Sequence, residues 1–195
     1  HAMALLMALS RKVVVLDRLV KEGRWETRSA RPIHRIRGRT LGILGYGRIG
    51  HALALRAKPH GYKVLVCDPY VSADLVMDIG ATLVSKEVLI SESDAISMHA
   101  PLTSETHHSI GESELRKMKP EAYLINTARG LLIDEYALAQ ALSKGWIAGA
   151  GIDVLDEEPP PADHPLIALP NAIVTPHAAF LSEESVLELE RRAAV

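Results

Sequence analysis

The chain has 195 residues, 48% of them hydrophobic and 24% charged, with a formal net charge of −2. That is the balance of a folded globular domain; it lacks the basic excess of a nucleic-acid-binding protein, and no apolar run reaches the ~18 residues that a membrane span needs. Aromatic residues make up only 4%, which leaves Ala, Val, Ile and Leu to build a layered α/β core, and the single cysteine, Cys67, excludes an intrachain disulfide and fits a reducing, cytoplasmic compartment.

Residues 1–25 read as one amphipathic helix that is already under way at its first residue, with no N-cap before it. The apolar opening, 1–9, has neither a basic flank nor a small-residue cleavage site, so it is not read as a signal peptide. A polar, Arg-rich connector covers 22–37. Apolar strands and helices then alternate: strand 40–44, helix 49–60, strand 63–67, a weak helix 72–79, a weak strand 81–84, helix 86–91 and strand 95–98. Helix 111–118 is ended by Pro120, strand 122–126 follows, and helix 134–143 is closed by Gly145. Strand 147–152, a Pro-rich loop at 159–165 and strand 172–174 complete the alternation. A charged helix begins at Ser182 with Glu183 and Glu184 in its first turn, and it runs to residue 195 without a C-cap. Both chain ends suggest a piece of something longer. Short apolar strands separated by helices predict a doubly wound parallel sheet, a Rossmann-type α/β fold.

Gly45-Tyr46-Gly47-Arg48-Ile49-Gly50 is a G-x-G-x-x-G turn between the first strand and the helix after it. Gly45 permits the tight turn, Gly47 lets backbone approach a pyrophosphate, and Gly50 lets helix and strand pack closely. The helix N-terminus offers free N–H groups to phosphate, and Arg48 can add a charge-assisted contact. The second strand ends at Asp68. An acid there accepts hydrogen bonds from the adenosine ribose and repels a 2′-phosphate, which favours NAD over NADP. The same residue also suits a simple Asp-Pro turn with Pro69.

Later strand exits also deliver polar groups to the edge where ligands bind in such sheets. They are His99-Ala100-Pro101 and the run to Thr106, then Asn126-Thr127-Ala128-Arg129, then Asp153, then Thr175-Pro176-His177. The segments LGILGYGRIG, VCDPY, HAPLTSET, LINTARG, GIDVLDEEP and VTPHAA, in that order, closely resemble the coenzyme-binding domain of the D-isomer-specific 2-hydroxyacid dehydrogenases. The wording of RIRGRTLGILGYGRIG and PHAAFLSEES is nearest to the branch holding the C-terminal-binding-protein corepressors, with similar segments in phosphoglycerate and glyoxylate or hydroxypyruvate reductases.

The resemblance implies a catalytic trio of Arg129, Glu158 and His177. The chemistry agrees: a planar Arg fork binds a 2-oxo acid's carboxylate, a His donates a proton near neutral pH, and a carboxylate beside that His fixes the ring and favours its charged form. Glu157 and Asp156 are rival positions for the acid; Glu158 is preferred for its place before Pro159. The resemblance also implies that Asp153 holds the nicotinamide carboxamide. It places Ile49, His99, Ala100, Pro101, Thr106, Thr127, Ala128, Arg129, His177 and Ala179 along the cofactor. Phe180 stands open as either a substrate-side wall or a core residue. The other histidines show no metal-ligand spacing, so no metal is expected.

The expected function is hydride transfer between NAD(H) and a small 2-oxo or 2-hydroxy acid, with little turnover from this chain alone because the family's substrate domain lies outside it. The expected organisation is 1–33 for a connecting and dimerising helix with its linker, 34–177 for dinucleotide binding, and 178–195 for the start of a helix returning to the substrate domain. A homodimer follows from the family and from the apolar face of Leu5, Leu6, Leu9, Val13 and Leu16, unless that face packs on its own sheet. An NAD-sensing, corepressor-like scaffold is the alternative function. A related hydrolase of adenosyl thioethers shares the fold but not the NTARG and DVLDEEP segments.

Overall fold

A computed structural model describes residues 1–193. Its centre is a seven-stranded sheet made of β1 (Thr40–Leu44), β2 (Lys63–Cys67), β3 (Thr82–Leu83), β4 (Ala95–Met98), β5 (Tyr123–Asn126), β6 (Gly149–Ile152) and β7 (Ala172–Val174). The strands run parallel in the order β3-β2-β1-β4-β5-β6-β7. The order reverses beside β1, which is the switch point of the doubly wound fold. Successive residues on a strand face opposite sides, and they feed two cores. Leu44, Ile96, Met98 and Leu124 enter one, while Ile43, Ala95 and Ile125 enter the other.

The helices are α1 (Ala2–Ser10), α2 (Val13–Lys21), α3 (Arg48–Ala57), α4 (Ala73–Met77), α5 (Lys86–Glu92), α6 (Glu112–Leu115), α7 (Glu135–Ser143) and α8 (Glu183–Ala193). The opening segment is two helices and not the single one expected, because Lys12 adopts a left-handed conformation (φ 53°) between them. Leu5, Leu6 and Leu9 of α1 are buried against the chain's own sheet. Glycines on β6 make room: a Cβ at Gly151 would lie 3.1 Å from that of Leu5, and one at Gly149 3.4 Å from a Leu9 methyl. This covers three of the five residues expected to need a partner. Val13 remains exposed and Leu16 half-buried.

The other differences are in length. The helix expected at 49–60 stays α-helical to Ala57 and closes as a 3-10 turn over Lys58–His60, since Pro59 has no N–H to continue the ladder. The helices expected at 72–79 and 111–118 shorten to α4 and α6. The strand expected at 81–84 shortens to the two-residue edge strand β3. A 3-10 turn at Gly130–Leu132 had no signal in the sequence. No helix among the described residues is long and apolar enough to cross a membrane.

Candidate active site

The parallel sheet brings every strand's C-terminal exit to one edge, and the β1–α3 turn opens the site there. Gly45 has φ 93°, and a Cβ on it would sit 2.4 Å from the Ala100 nitrogen; a Cβ on Gly50 would sit 2.2 Å from the Gly45 carbonyl oxygen. Both positions require glycine for packing. Gly47 differs, because a Cβ there would meet nothing within 4 Å. The protein's own packing does not require glycine there. Gly47 caps α3 without a side-chain hydrogen bond, so the N–H groups of the first turn are left for an anion.

Asp68 stands at the C-terminal end of β2, beside the β1–α3 turn. Its Oδ2 accepts the Tyr46 N–H at 2.6 Å and its Oδ1 the Tyr70 N–H at 2.8 Å. The expected turn role is therefore seen, and each carboxylate oxygen keeps a lone pair free for a further donor. An open phosphate turn, an uncapped helix start and an acid at the end of β2 together fit a dinucleotide.

His99 is largely buried, with Nε2 2.8 Å from the Ser97 hydroxyl, and burial pushes its pKa down to about 4. Ala100 is buried against Gly45. Thr106 is occupied within its own loop: its hydroxyl donates to the Pro101 carbonyl (2.6 Å) and accepts the Thr103 N–H (2.8 Å). It shapes the segment 101–106 from within.

A cleft of about 520 Å³ gathers Arg48, Ile49, Thr127, Arg129, His177, Ala179 and Phe180. Asn126 sets the Arg129 end by accepting the Ala128 N–H (3.0 Å) and donating to the Arg129 carbonyl (2.8 Å). The Arg129 guanidinium donates only to the Ala128 carbonyl and has no acidic partner among the described residues, so its charge is available to a ligand carboxylate. Phe180 meets His177 edge-on at 6.2 Å between ring centroids, which places it on the cleft and not in the core.

Glu158 joins the trio. Its Oε2 lies 2.7 Å from His177 Nδ1, and its Oε1 accepts the Leu155 N–H at 3.0 Å. Partial burial pushes its pKa up, but the hydrogen bonds from His177 and Leu155 outweigh that and hold it below the usual carboxylate value. His177 Nε2 makes no hydrogen bond among the described residues. The backbone of His177 is left-handed (φ 51°), and its N–H donates to the Asp153 carbonyl at 2.8 Å.

Asp153 is buried, and both of its oxygens are engaged. It accepts the N–H groups of Ala178 (2.9 Å) and Ala179 (2.8 Å) and the Thr175 hydroxyl. In this structure Asp153 shapes the turn that presents His177. Sequence reasoning named Thr175 only as part of a strand exit and did not anticipate that its hydroxyl would hold Asp153. It also missed the Leu155 N–H, which no side-chain pattern reveals. Among the described residues no cluster of His, Cys, Asp and Glu could hold a metal ion.

A family model described as D-isomer specific 2-hydroxyacid dehydrogenase, NAD binding domain, matches residues 3–179. The glyoxylate reductase of Korarchaeum cryptofilum is 49% identical over 188 residues, covering 94% of this chain and 56% of that protein. The D-3-phosphoglycerate dehydrogenase of Archaeoglobus fulgidus is 42% identical over 189 residues, covering 97% and 36%. Among solved structures, D-lactate dehydrogenase from Aquifex aeolicus, complexed with NAD and lactic acid, superposes with a TM-score of 0.91 at 33% identity, over 99% of this chain and 62% of that one. An acyclic imino acid reductase in complex with NADPH and D-Arg superposes at 0.88 with 34% identity, over 100% and 61%. The chain thus spans 36% to 56% of the two curated relatives. It belongs to the D-isomer-specific 2-hydroxyacid dehydrogenase family, of which it is the NAD-binding domain.

Proposed function

We propose that the protein to which this chain belongs reduces a small 2-oxo acid to the 2-hydroxy acid with NADH, and catalyses the reverse oxidation. The observation that supports this best is the His177–Glu158 pair at 2.7 Å, whose His177 lines the same strand-end cleft as Arg129, a cation with no acidic partner among the described residues. NADH, when bound along the β1–α3 turn, supplies the hydride that adds to the carbonyl carbon. Arg129 binds the substrate carboxylate through its planar fork. Glu158 holds Nδ1 of His177, so Nε2 is the ring nitrogen that gives its proton to the carbonyl oxygen as the C–O bond becomes an alcohol. His177 leaves that step neutral and regains a proton from water.

Residues 34–177 form the dinucleotide domain, 1–33 connect and dimerise, and 178–195 lead back toward a substrate domain. The homodimer forms through the outer face of α2 and the residues beyond it, where Val13, Val20 and Trp25 are 54%, 48% and 89% exposed. A reducing cytoplasm suits the lone thiol of Cys67, and Asp68 selects NAD over NADP.

Several relatives that match nearly the whole chain are named glyoxylate reductase, so glyoxylate heads the substrates to test. NADH oxidation by the longer protein over glyoxylate, hydroxypyruvate, pyruvate and larger 2-oxo acids should show turnover with the small members. No oxidation with any of them would overturn the proposal.

A further inference from the structure

The loop that carries Glu158 is fastened from behind by a buried His–Glu contact outside the reacting groups. Glu135 is the first residue of α7, and His164 lies at the far end of the loop. His164 Nε2 is 3.0 Å from Glu135 Oε2, with the side chains only 10% and 9% exposed. The other carboxylate oxygen, Oε1, accepts the Asp156 N–H at 2.9 Å. The second ring nitrogen of His164 is buried without a partner among the described residues, where Glu135 is the one polar group that holds this ring.

The Leu155–Asp156 segment gripped in this way is shared by the catalytic trio. The Leu155 N–H donates to Glu158 Oε1, and Glu158 Oε2 faces His177. Gly130, next to Arg129, packs so tightly that a Cβ on it would lie 2.2 Å from the Leu155 carbonyl carbon. We propose that Glu135 and His164 are positioning residues, holding the Leu155–Asp156 peptide so that Glu158 is aimed at His177. This rests on the reading of Glu158 and His177 as the working pair. A Glu in the first turn of a helix also suits the helix dipole, but here both oxygens are turned onto the loop, one to its backbone and one to its histidine. If the pair is removed, the Leu155 N–H drifts and Glu158 loses the second contact that fixes its direction.

The test is a carbon-13 NMR titration of the Glu158 carboxyl in the 195-residue chain. In the Glu135→Leu and His164→Leu variants its midpoint should rise by about half a pH unit or more, as the contacts that favour the charged form weaken, while the affinity for NADH stays within about twofold. His164→Gln, which keeps a donor toward Glu135, should restore most of the original midpoint. An unchanged midpoint in folded His164→Leu would overturn the proposal, as would a failure of Gln to rescue; His164→Leu decides alone if Glu135→Leu does not fold. His177→Gln serves as the reference. If it fails to raise the Glu158 midpoint, the working pair itself is refuted and the positioning role falls with it. A rise in His177→Gln without one in the Leu variants refutes the positioning role alone.

Discussion

Glu158 reaches across 19 positions of chain to place Oε2 2.7 Å from Nδ1 of His177, while its Oε1 stays on the Leu155 N–H. Both side chains are partly exposed, 37% and 44%, so the pair contributes little to global stability. Its consequence is orientation: one ring nitrogen is held, and the other makes no hydrogen bond among the described residues.

That arrangement has a pH signature. Glu158 is held below the usual carboxylate value, so its charge and its grip on His177 are present above that depressed value and lost as pH falls through it. Turnover should therefore decline on the acid side as Glu158 protonates. Glu158→Gln should lower kcat/KM by about tenfold or more and abolish that acid limb, as read from kcat/KM against pH in the two proteins.

His99 makes an opposite kind of prediction, about the fold. Burial lowers its pKa to about 4, whereas in the unfolded chain it titrates near ~6.5. Between those values the unfolded state binds the extra proton, so stability falls as pH drops from 6.5 toward 4 and is unaffected above. The whole effect amounts to about 3 kcal/mol. Urea unfolding at pH 7.5 and 4.5 should show His99→Gln losing markedly less stability than the parent; equal losses would refute the assignment.

The three glycines of the turn should separate by phenotype. Gly45→Ala and Gly50→Ala push a Cβ into backbone atoms at 2.4 and 2.2 Å, and Gly45 has a positive φ as well. Thermal unfolding should show each losing about 2 kcal/mol or more. Gly47→Ala enters open space and should keep the parent Tm while weakening NADH by about tenfold, measured by fluorescence titration.

Most of this site can be read from the sequence because its chemistry sits at strand ends, and strand ends are legible. The apolar runs at β1, β2, β4 and β5 place Asp68, His99 and Asn126 at one edge within a residue, and the NTARG and DVLDEEP segments single out Arg129 and Glu158 as candidates. What is not legible depends on backbone geometry or distant packing. The break at Lys12 is a single left-handed residue in an otherwise helical pattern. The cover over Leu5 and Leu9 depends on two glycines in β6, more than a hundred positions away. The engagement of Asp153 with the Ala178 and Ala179 N–H groups, and of Thr106 with its own loop, follows from turns that only the folded backbone defines. Glu135 and His164 lie 29 positions apart with no shared motif.

Under the proposed function, cofactor choice depends on Asp68. Two backbone N–H groups on its oxygens fix the carboxylate in place, and an acid at the end of β2 would repel a 2′-phosphate. Asp68→Ala should weaken NADH by about tenfold through lost charge-assisted hydrogen bonds and narrow the NADH-over-NADPH preference by a similar factor, measured as the ratio of the two dissociation constants. An unchanged ratio would remove Asp68 from the cofactor site.

The most direct test is His177→Ala in the longer protein that carries this chain, assayed for glyoxylate-dependent NADH oxidation together with NADH binding. With His177 as the proton donor, turnover falls by ~10²-fold or more while NADH still binds. Turnover near that of the parent would contradict the role of His177 and, with it, the chemistry proposed for this cleft.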